Sequence, residues 1–285
     1  MGLYKTKWKR RSVLFTNSLN ENFFKKALDS EADAIAFDLE DSIAEEYKEE
    51  ARKRLKTLFP KITESNKELI IRINNVRTKN FKADIKLILE LSPDTIIISK
   101  VESPVDIKLV ENKLKQKNID FIPLIESTNS YKERDKILTS SNKITAVAVG
   151  AADMLAELVI MRKPIYEDSL INHIVKEVII SARSLNIQYL DSSFFGYKTK
   201  KNLLVLKKEC EYLKSIGCSG KLAIHPSQVP IINKTFSTLP ITNQEAEEKL
   251  RKLRKAIEGT TMITNEDSTL EGLPHKIMYE RAMKG

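Results

Sequence analysis

Three acids crowd the end of one apolar run. The stretch AIAFDLEDSI sets Asp38, Glu40 and Asp41 directly after Ala34–Phe37. Like charges at that density are costly unless cations answer them. Other apolar runs end the same way. LIIRIN carries Arg72 and Asn74, TIIISKVE carries Lys100 and Glu102, and FIPLIES carries Glu126. AVAVG leads to Gly150 and Asp153, IQYLD ends in Asp191, and KLAIHP holds Lys221 and His225. Glu126 and Asp153 are hard oxygen donors, and Mg2+ is commonly held by one or two carboxylates together with waters and substrate oxygens. No His–His or Cys–His spacing offers zinc instead. Arg72 has the planar fork that grips a carboxylate through two parallel bonds. A plainer role stands beside each of these: Arg72 with Asp38, or Lys100 with Glu102, can form structural ion pairs.

Such residues need strands to bring their ends together. Eight short runs qualify: 12–16, 34–40, 69–74, 95–101, 121–127, 146–150, 187–191 and 221–226. Helix-period spacers separate them. NENFFKKAL starts at an Asn cap, IAEEYKEEARKRLKTLF is amphipathic, and SPVDIKLVENKLK has Ser103 then Pro104 at a helix start. Strictly alternating strands and helices imply parallel strands with crossover helices. Eight units predict a (β/α)8 TIM barrel over 11–235, preceded by a basic arm over 1–10 and followed by a C-terminal helical extension over 236–285. In such a barrel the C-terminal strand ends form one polar rim. A doubly wound open sheet is the alternative, but the turn after the first strand reads TNSLNEN, without the glycines of a dinucleotide fingerprint.

The 285 residues are 41% hydrophobic and 31% charged, the balance of a soluble globular chain with a full core. No apolar run approaches the roughly 20 residues that span a bilayer. The start, MGLYKTKWKRR, lacks the apolar segment of a secretory signal, although Gly2 and Thr6 fit the loose myristoylation pattern. Cys210 and Cys218 have no metal-ligand or CxxC spacing, which suits a reduced, cytoplasmic protein. The net charge of +9 is spread over many helices with no aromatic-interleaved basic patch, which argues against nucleic acid. Phosphates on a small molecule or an acidic carrier protein suit it at least as well.

The motifs RRSVLFTNSLN, FDLED, IRIN, SKVES, LIES, GAADM and GKLAIHPSQV fall in the order and spacing of the HpcH/HpaI aldolase and citrate lyase family. The chain resembles its citrate lyase β-subunit (CitE-like) branch over about residues 10–236. The resemblance implies a TIM barrel in trimers or hexamers and Mg2+-dependent cleavage of a carbon–carbon bond in a 3-hydroxy-acyl thioester, of the citryl-, malyl- or citramalyl-CoA kind. It implies Glu126 and Asp153 as metal ligands, and Arg72 as the arginine on the substrate carboxylate. Glu40 and Asp41 match the acids beside the metal, and Arg11 and Lys100 match basic positions near the thioester and its phosphates. The products would be a 2-oxo acid and an acyl thioester, of CoA or of an acyl carrier protein.

Several positions depart from the family pattern. LFTNS replaces LFVPG, Ser99 stands where Pro usually precedes the lysine, and SSFFGYKTKKN lacks an acidic turn. LEGLPHKIMYERA carries no Asp where related lyases place an acid/base group; Asp267, Glu271 and His275 are the nearby substitutes. Three other readings follow. One is a Mg2+-dependent aldolase on free 2-oxo acids. Another is a class I aldolase with Lys100 as Schiff base. The third is a non-catalytic barrel serving in binding or assembly.

Overall fold

The eight apolar runs form eight parallel strands closed into one barrel in the order β1 to β8, with β8 pairing back onto β1. The structure, a computed structural model, describes residues 4–63, 65–167, 169–237, 243–255, 262–264 and 270–283. The strands are β1 (Ser12–Thr16), β2 (Ala34–Asp38), β3 (Glu68–Ile73), β4 (Thr95–Ile98), β5 (Asp120–Ile125), β6 (Ala146–Val149), β7 (Gln188–Asp191) and β8 (Gly220–Ala223). The intervening helices are α1 (Glu21–Leu28), α2 (Lys48–Leu58), α3 (Phe81–Leu91), α4 (Pro104–Lys113), α5 (Thr128–Thr139), α6 (Ala151–Glu157), α7 (Leu170–Ser184) and α8 (Lys200–Ser215), and α9 (Val229–Ser237) follows β8. Closure rules out the doubly wound sheet. Asn20 caps α1 by accepting from Phe23 N–H, and Ser103 with Pro104 opens α4, as the sequence predicts.

Side chains alternate across each strand. Val13, Ala34, Ala36, Ile70, Ile97, Ile122, Leu124, Ala146, Ala148, Leu190 and Leu222 point inward and fill the barrel. Their neighbours, such as Leu14, Ile35, Phe37, Ile71, Ile96 and Phe121, face the helices. Small alanines on β2 and β6 leave room for the isoleucines and leucines of the other strands, the interdigitation expected of a packed barrel. The ladders stop sooner than the sequence reading expects. β2 ends at Asp38 rather than residue 40, and β4 at Ile98 rather than 101, because the polar residues that follow turn into loops.

The barrel floor is closed by charge. Arg10, fully buried, donates to Glu68 from Nε at 2.8 Å and Nη2 at 2.6 Å, and also reaches Thr95, Thr145 and Gln188. The arm expected over 1–10 therefore joins the barrel earlier: one compact unit runs Thr6–Phe236. Arg10→Met should cost about 3–5 kcal/mol, because it leaves the Glu68 carboxylate buried without its cation. Denaturant unfolding measures this, and a loss below about 1 kcal/mol would contradict the pairing.

The second unit comprises Met1–Lys5 and Ser237–Gly285. Within it, α10 (Asn243–Lys255) and α11 (Leu273–Ala282) bury Ala246, Leu250, Leu253 and Tyr279 together. A two-stranded antiparallel pair, β9 (Ile263–Thr264) and β10 (Leu270–Glu271), lies between them in sequence. Both cysteines are free and buried, and burial pushes the Cys210 thiol up to about 12. Gly2 lies outside the described residues, and the Thr6 hydroxyl donates to Asp120 at 3.2 Å. Among the described residues no helix is long and apolar enough to cross a membrane.

Candidate active site

The C-terminal strand ends surround a cavity of about 340 Å³ lined by Asp38, Asp41, Arg72, Glu126, Asp153 and Arg162, with Phe15, Leu124 and Leu222 as its apolar floor. Register explains the first pair. Asp38 and Arg72 are direct cross-strand partners on β2 and β3, both on the inward face. Arg72 Nε and Nη2 each donate to the Asp38 carboxylate at 2.6 Å, and the guanidinium lies 4.9 Å over the Phe15 ring. Burial alone would raise the Asp38 pKa. The Arg72 bonds and charge, with the Ser42 and Glu40 amides, outweigh it and hold the carboxyl below its ordinary range. Asp38 takes the Nε–Nη2 edge of the fork, and Nη1 faces Glu40 at 3.3 Å and Asp41 at 3.7 Å, so a substrate carboxylate would reach Nη1 by replacing these looser contacts.

Glu40 and Asp41 follow in the tight turn after β2. A buried lysine fixes that turn: Lys48 Nζ donates to the carbonyls of Leu39 and Glu40, each at 2.9 Å, and to Asn74 Oδ1 at 2.7 Å. Lys48 was not among the expected site residues. Its signal is its place on the apolar stripe of α2 with Ala51 and Leu55, a charge where the pattern asks for a hydrophobe. Glu40 is nearly buried and stands just behind the cavity wall, while Asp41 lines it. Burial and the neighbouring Asp41 push Glu40 up to about 7, against the pull of Arg72 and Lys100, whereas Asp41 is lowered.

Lys100 takes a left-handed backbone, φ 51°, in which its amide donates to Glu126 Oε2 at 2.7 Å. Its Nζ meets Glu40 at 2.6 Å, Asp41 at 3.0 Å and Asp153 at 3.8 Å. It is the counter-ion of the acids, so it does not pair with Glu102, which accepts from Ser127 Oγ. Despite partial burial, these acids raise its pKa. A lysine held protonated among three carboxylates cannot supply the neutral amine of a Schiff base, nor spare its charge for a phosphate.

Glu126 follows directly on β5 and is 5% exposed. Burial, then Asp153 and Glu40, push its pKa up to about 8, against the Lys100 amide and Arg72. It packs over Gly150, on the adjacent strand end, where any Cβ would overlap its carboxyl group. Asp153 belongs to the first turn of α6 rather than to a strand end. Among the described residues no three His, Cys, Asp or Glu side chains are disposed to hold a metal ion. The donor set still fits a hard divalent cation. Glu126 and Asp153 are oxygen donors, Asp153 lies close enough to raise the cost of ionising Glu126, and such an ion takes its remaining ligands from water and substrate.

Four expected rim residues lie elsewhere. Arg11 precedes β1 at the opposite end of the barrel, where its backbone amide, Nε and Nη2 all bind Asp33, at 2.5 to 2.8 Å. It is far in sequence register from the mouth and cannot serve a thioester there. Asp191 and Lys221 point outward, one position out of phase with Leu190 and Leu222, and pair in a buried cluster with Glu209. His225 stacks on Tyr197 with ring centroids 4.8 Å apart, and its Nδ1 accepts from Ser227 N–H. Of the C-terminal candidates, Glu271 pairs with Lys249 at 2.7 Å, His275 accepts from Gly272 N–H at the start of α11, and Asp267 lies outside the described residues. Arg162, in the loop between α6 and α7, was missed; a loop residue carries no periodic signal.

Fold and rim together define a (β/α)8 barrel whose mouth gathers carboxylates and guanidinium groups around one small cavity. The profile described as HpcH/HpaI aldolase/citrate lyase matches residues 11–226, and the chain belongs to that family. It is 28% identical to (3S)-malyl-CoA thioesterase of Cereibacter sphaeroides over 247 residues, 86% of this chain and 84% of that protein. It is likewise 28% identical to L-malyl-CoA/beta-methylmalyl-CoA lyase of Rhodobacter capsulatus over 272 residues, 86% and 85% of the two chains. The crystal structure of protein CitE from Mycobacterium tuberculosis in complex with magnesium, acetoacetate and coenzyme A superposes with a TM-score of 0.79 at 21% identity, covering 95% of this chain and 96% of that one.

Proposed function

We propose that this chain is a Mg2+-dependent carbon–carbon lyase that cleaves a 3-hydroxy-acyl thioester, of the citryl-, malyl- or citramalyl-CoA type, into a 2-oxo acid and an acyl thioester. The observation that carries this reading is the convergence of Glu126, Asp153, Asp41 and Arg72 on one cavity. Relatives named as acyl-CoA lyases, and a fold neighbour described with magnesium and coenzyme A, support it. Glu126 and Asp153 would hold the Mg2+, which when bound supplies a Lewis acid for the substrate hydroxyl and the ketone it becomes. Arg72, held by Asp38 through Nε and Nη2, binds the carboxylate of the 2-oxo-acid half through Nη1, where the looser contacts to Glu40 and Asp41 give way. Glu40 and Asp41 act as a pair: their proton affinities are pushed apart, so a proton taken from the hydroxyl has a site near neutrality on Glu40. The electrons of the broken bond pass to the acyl thioester as its enolate, and the same proton, returned to that carbon, balances the reaction. The acyl group comes as a CoA or carrier-protein thioester, in a trimer or hexamer, and two free buried thiols support a reducing cytoplasmic setting.

A second reading, thioester hydrolysis, is favoured by the relative named as a malyl-CoA thioesterase. The products separate the two. Incubation with citryl-, malyl- and citramalyl-CoA should yield a 2-oxo acid with the thioester bond intact. Free thiol with no 2-oxo acid would assign hydrolysis instead.

The acids also set a pH dependence. The folded pKa of Glu126, about 8, lies above its ordinary 4.5. Between those values the folded chain keeps a proton that the unfolded chain has lost. Stability without Mg2+ therefore falls as pH rises through that window, and the ionised carboxylate that Mg2+ needs accumulates. The melting temperature should rise more on adding Mg2+ at about pH 8.5 than at about pH 5.5. An equal rise at both would contradict the assignment.

A further inference from the structure

Arg162 stands between the cavity and a smaller space behind its wall. On the cavity side it lies against Phe195, 5.0 Å from the ring centroid, and its Nη2 donates to the Ser193 carbonyl at 2.9 Å. On the other side is a void of about 10 Å³, the scale of one water, lined also by Asp191 and Glu209. Arg162 Nη1 and Glu209 Oε2 are both buried without a hydrogen-bond partner. Glu209, on α8, is 2% exposed. Lys221 binds Asp191 and the Ser192 carbonyl, and stands 3.7 Å from Glu209. Asp191 thus answers Lys221, and Glu209 is left to answer Arg162, whose field it feels. A buried charge stays ionised only with hydrogen bonds as well as a counter-charge.

We propose that one buried water bridges Arg162 Nη1 and Glu209 Oε2, accepting from the guanidinium and donating to the carboxylate, and that Glu209 is through it a positioning residue for the cavity wall. A single molecule satisfies both orphaned groups, and the charges of Arg162, Glu209, Lys221 and Asp191 cancel. The loop between α6 and α7 is then fastened on two sides, by Nη2 to the Ser193 carbonyl after β7 and by Nη1 through the water to α8. The Ile165 amide, on the same loop, adds a tie by favouring the ionised Glu209. Arg162 is engaged by Glu209, so it shapes the cavity and does not bind a substrate anion. The kinetic consequence rests on the lyase reading; the bridge does not.

A high-resolution crystal structure of the full chain tests the bridge. It should show one water within about 3.2 Å of both Arg162 Nη1 and Glu209 Oε2. A direct contact between the two groups, or a void without density, overturns the bridge whether or not any variant folds. Steady-state kinetics, with a thioester that the wild type cleaves, test the positioning. Glu209→Leu, which cannot accept from the water, should raise KM about fivefold and leave kcat and the Mg2+ Kd within about twofold. Glu209→Gln keeps an acceptor oxygen and should bring KM back to within about twofold of the wild type. An unchanged KM in Glu209→Leu, a fall in kcat without a rise in KM, or a Glu209→Gln no better than Glu209→Leu overturns the positioning role. A wild type that turns over no thioester overturns the lyase reading, and the crystal structure then decides the bridge alone.

Discussion

Glu126→Gln should lower turnover about a thousandfold, the cost of losing several kcal/mol of metal-supplied stabilisation. The amide keeps the shape of the side chain over Gly150 and can still accept from the Lys100 amide, so the change isolates the charge. It should also raise stability. Ionised Glu126 is buried beside Asp153 and Glu40, and its removal relieves that repulsion above about pH 8. A variant that is less active and yet melts higher without Mg2+, and no longer responds to Mg2+, is the expected result. Kinetics and thermal melts with and without EDTA check it. A variant that keeps the Mg2+ response of the wild type would remove Glu126 from the metal site.

Arg72→Lys should raise KM at least tenfold and lower stability by about 1–3 kcal/mol. An ammonium can neither hold both Asp38 oxygens nor offer a further directed N–H to substrate, and it forfeits the stacking on Phe15. Asp38 would then be left buried with a weaker partner. Steady-state kinetics and denaturant unfolding measure the two effects separately. An unchanged KM would mean that Arg72 serves Asp38 alone.

The fold was legible because parallel strands buried on both faces read as unbroken apolar runs, and eight of them with helical spacers leave few topologies. The acids of FDLED were legible for the same reason: a charge that breaks such a run must sit at its end. What the runs hide is phase. Asp191 ends an apolar run and Lys221 opens one, but both alternate outward, where Lys221 pairs with Asp191 and Glu209. Phase could have been taken from Leu190 and Leu222, had the inward set been identifiable. Arg11 lies at the wrong end, because a basic residue before a strand faces the floor of the barrel and one after it faces the mouth. Arg10 and Lys48, fully or nearly buried, resemble surface charges in composition, and only their partners distinguish them. Arg162 depends on a loop path that no periodicity encodes.

The central claim is that the mouth acids hold Mg2+ for carbon–carbon cleavage. The direct measurement is 2-oxo acid release from a panel of citryl-, malyl-, citramalyl- and β-methylmalyl-CoA by EDTA-dialysed protein, before and after Mg2+ is restored. Release that is lost on dialysis and regained with Mg2+ is the predicted result. Release that persists in EDTA, or no release from any thioester by a protein shown to bind Mg2+, would contradict it.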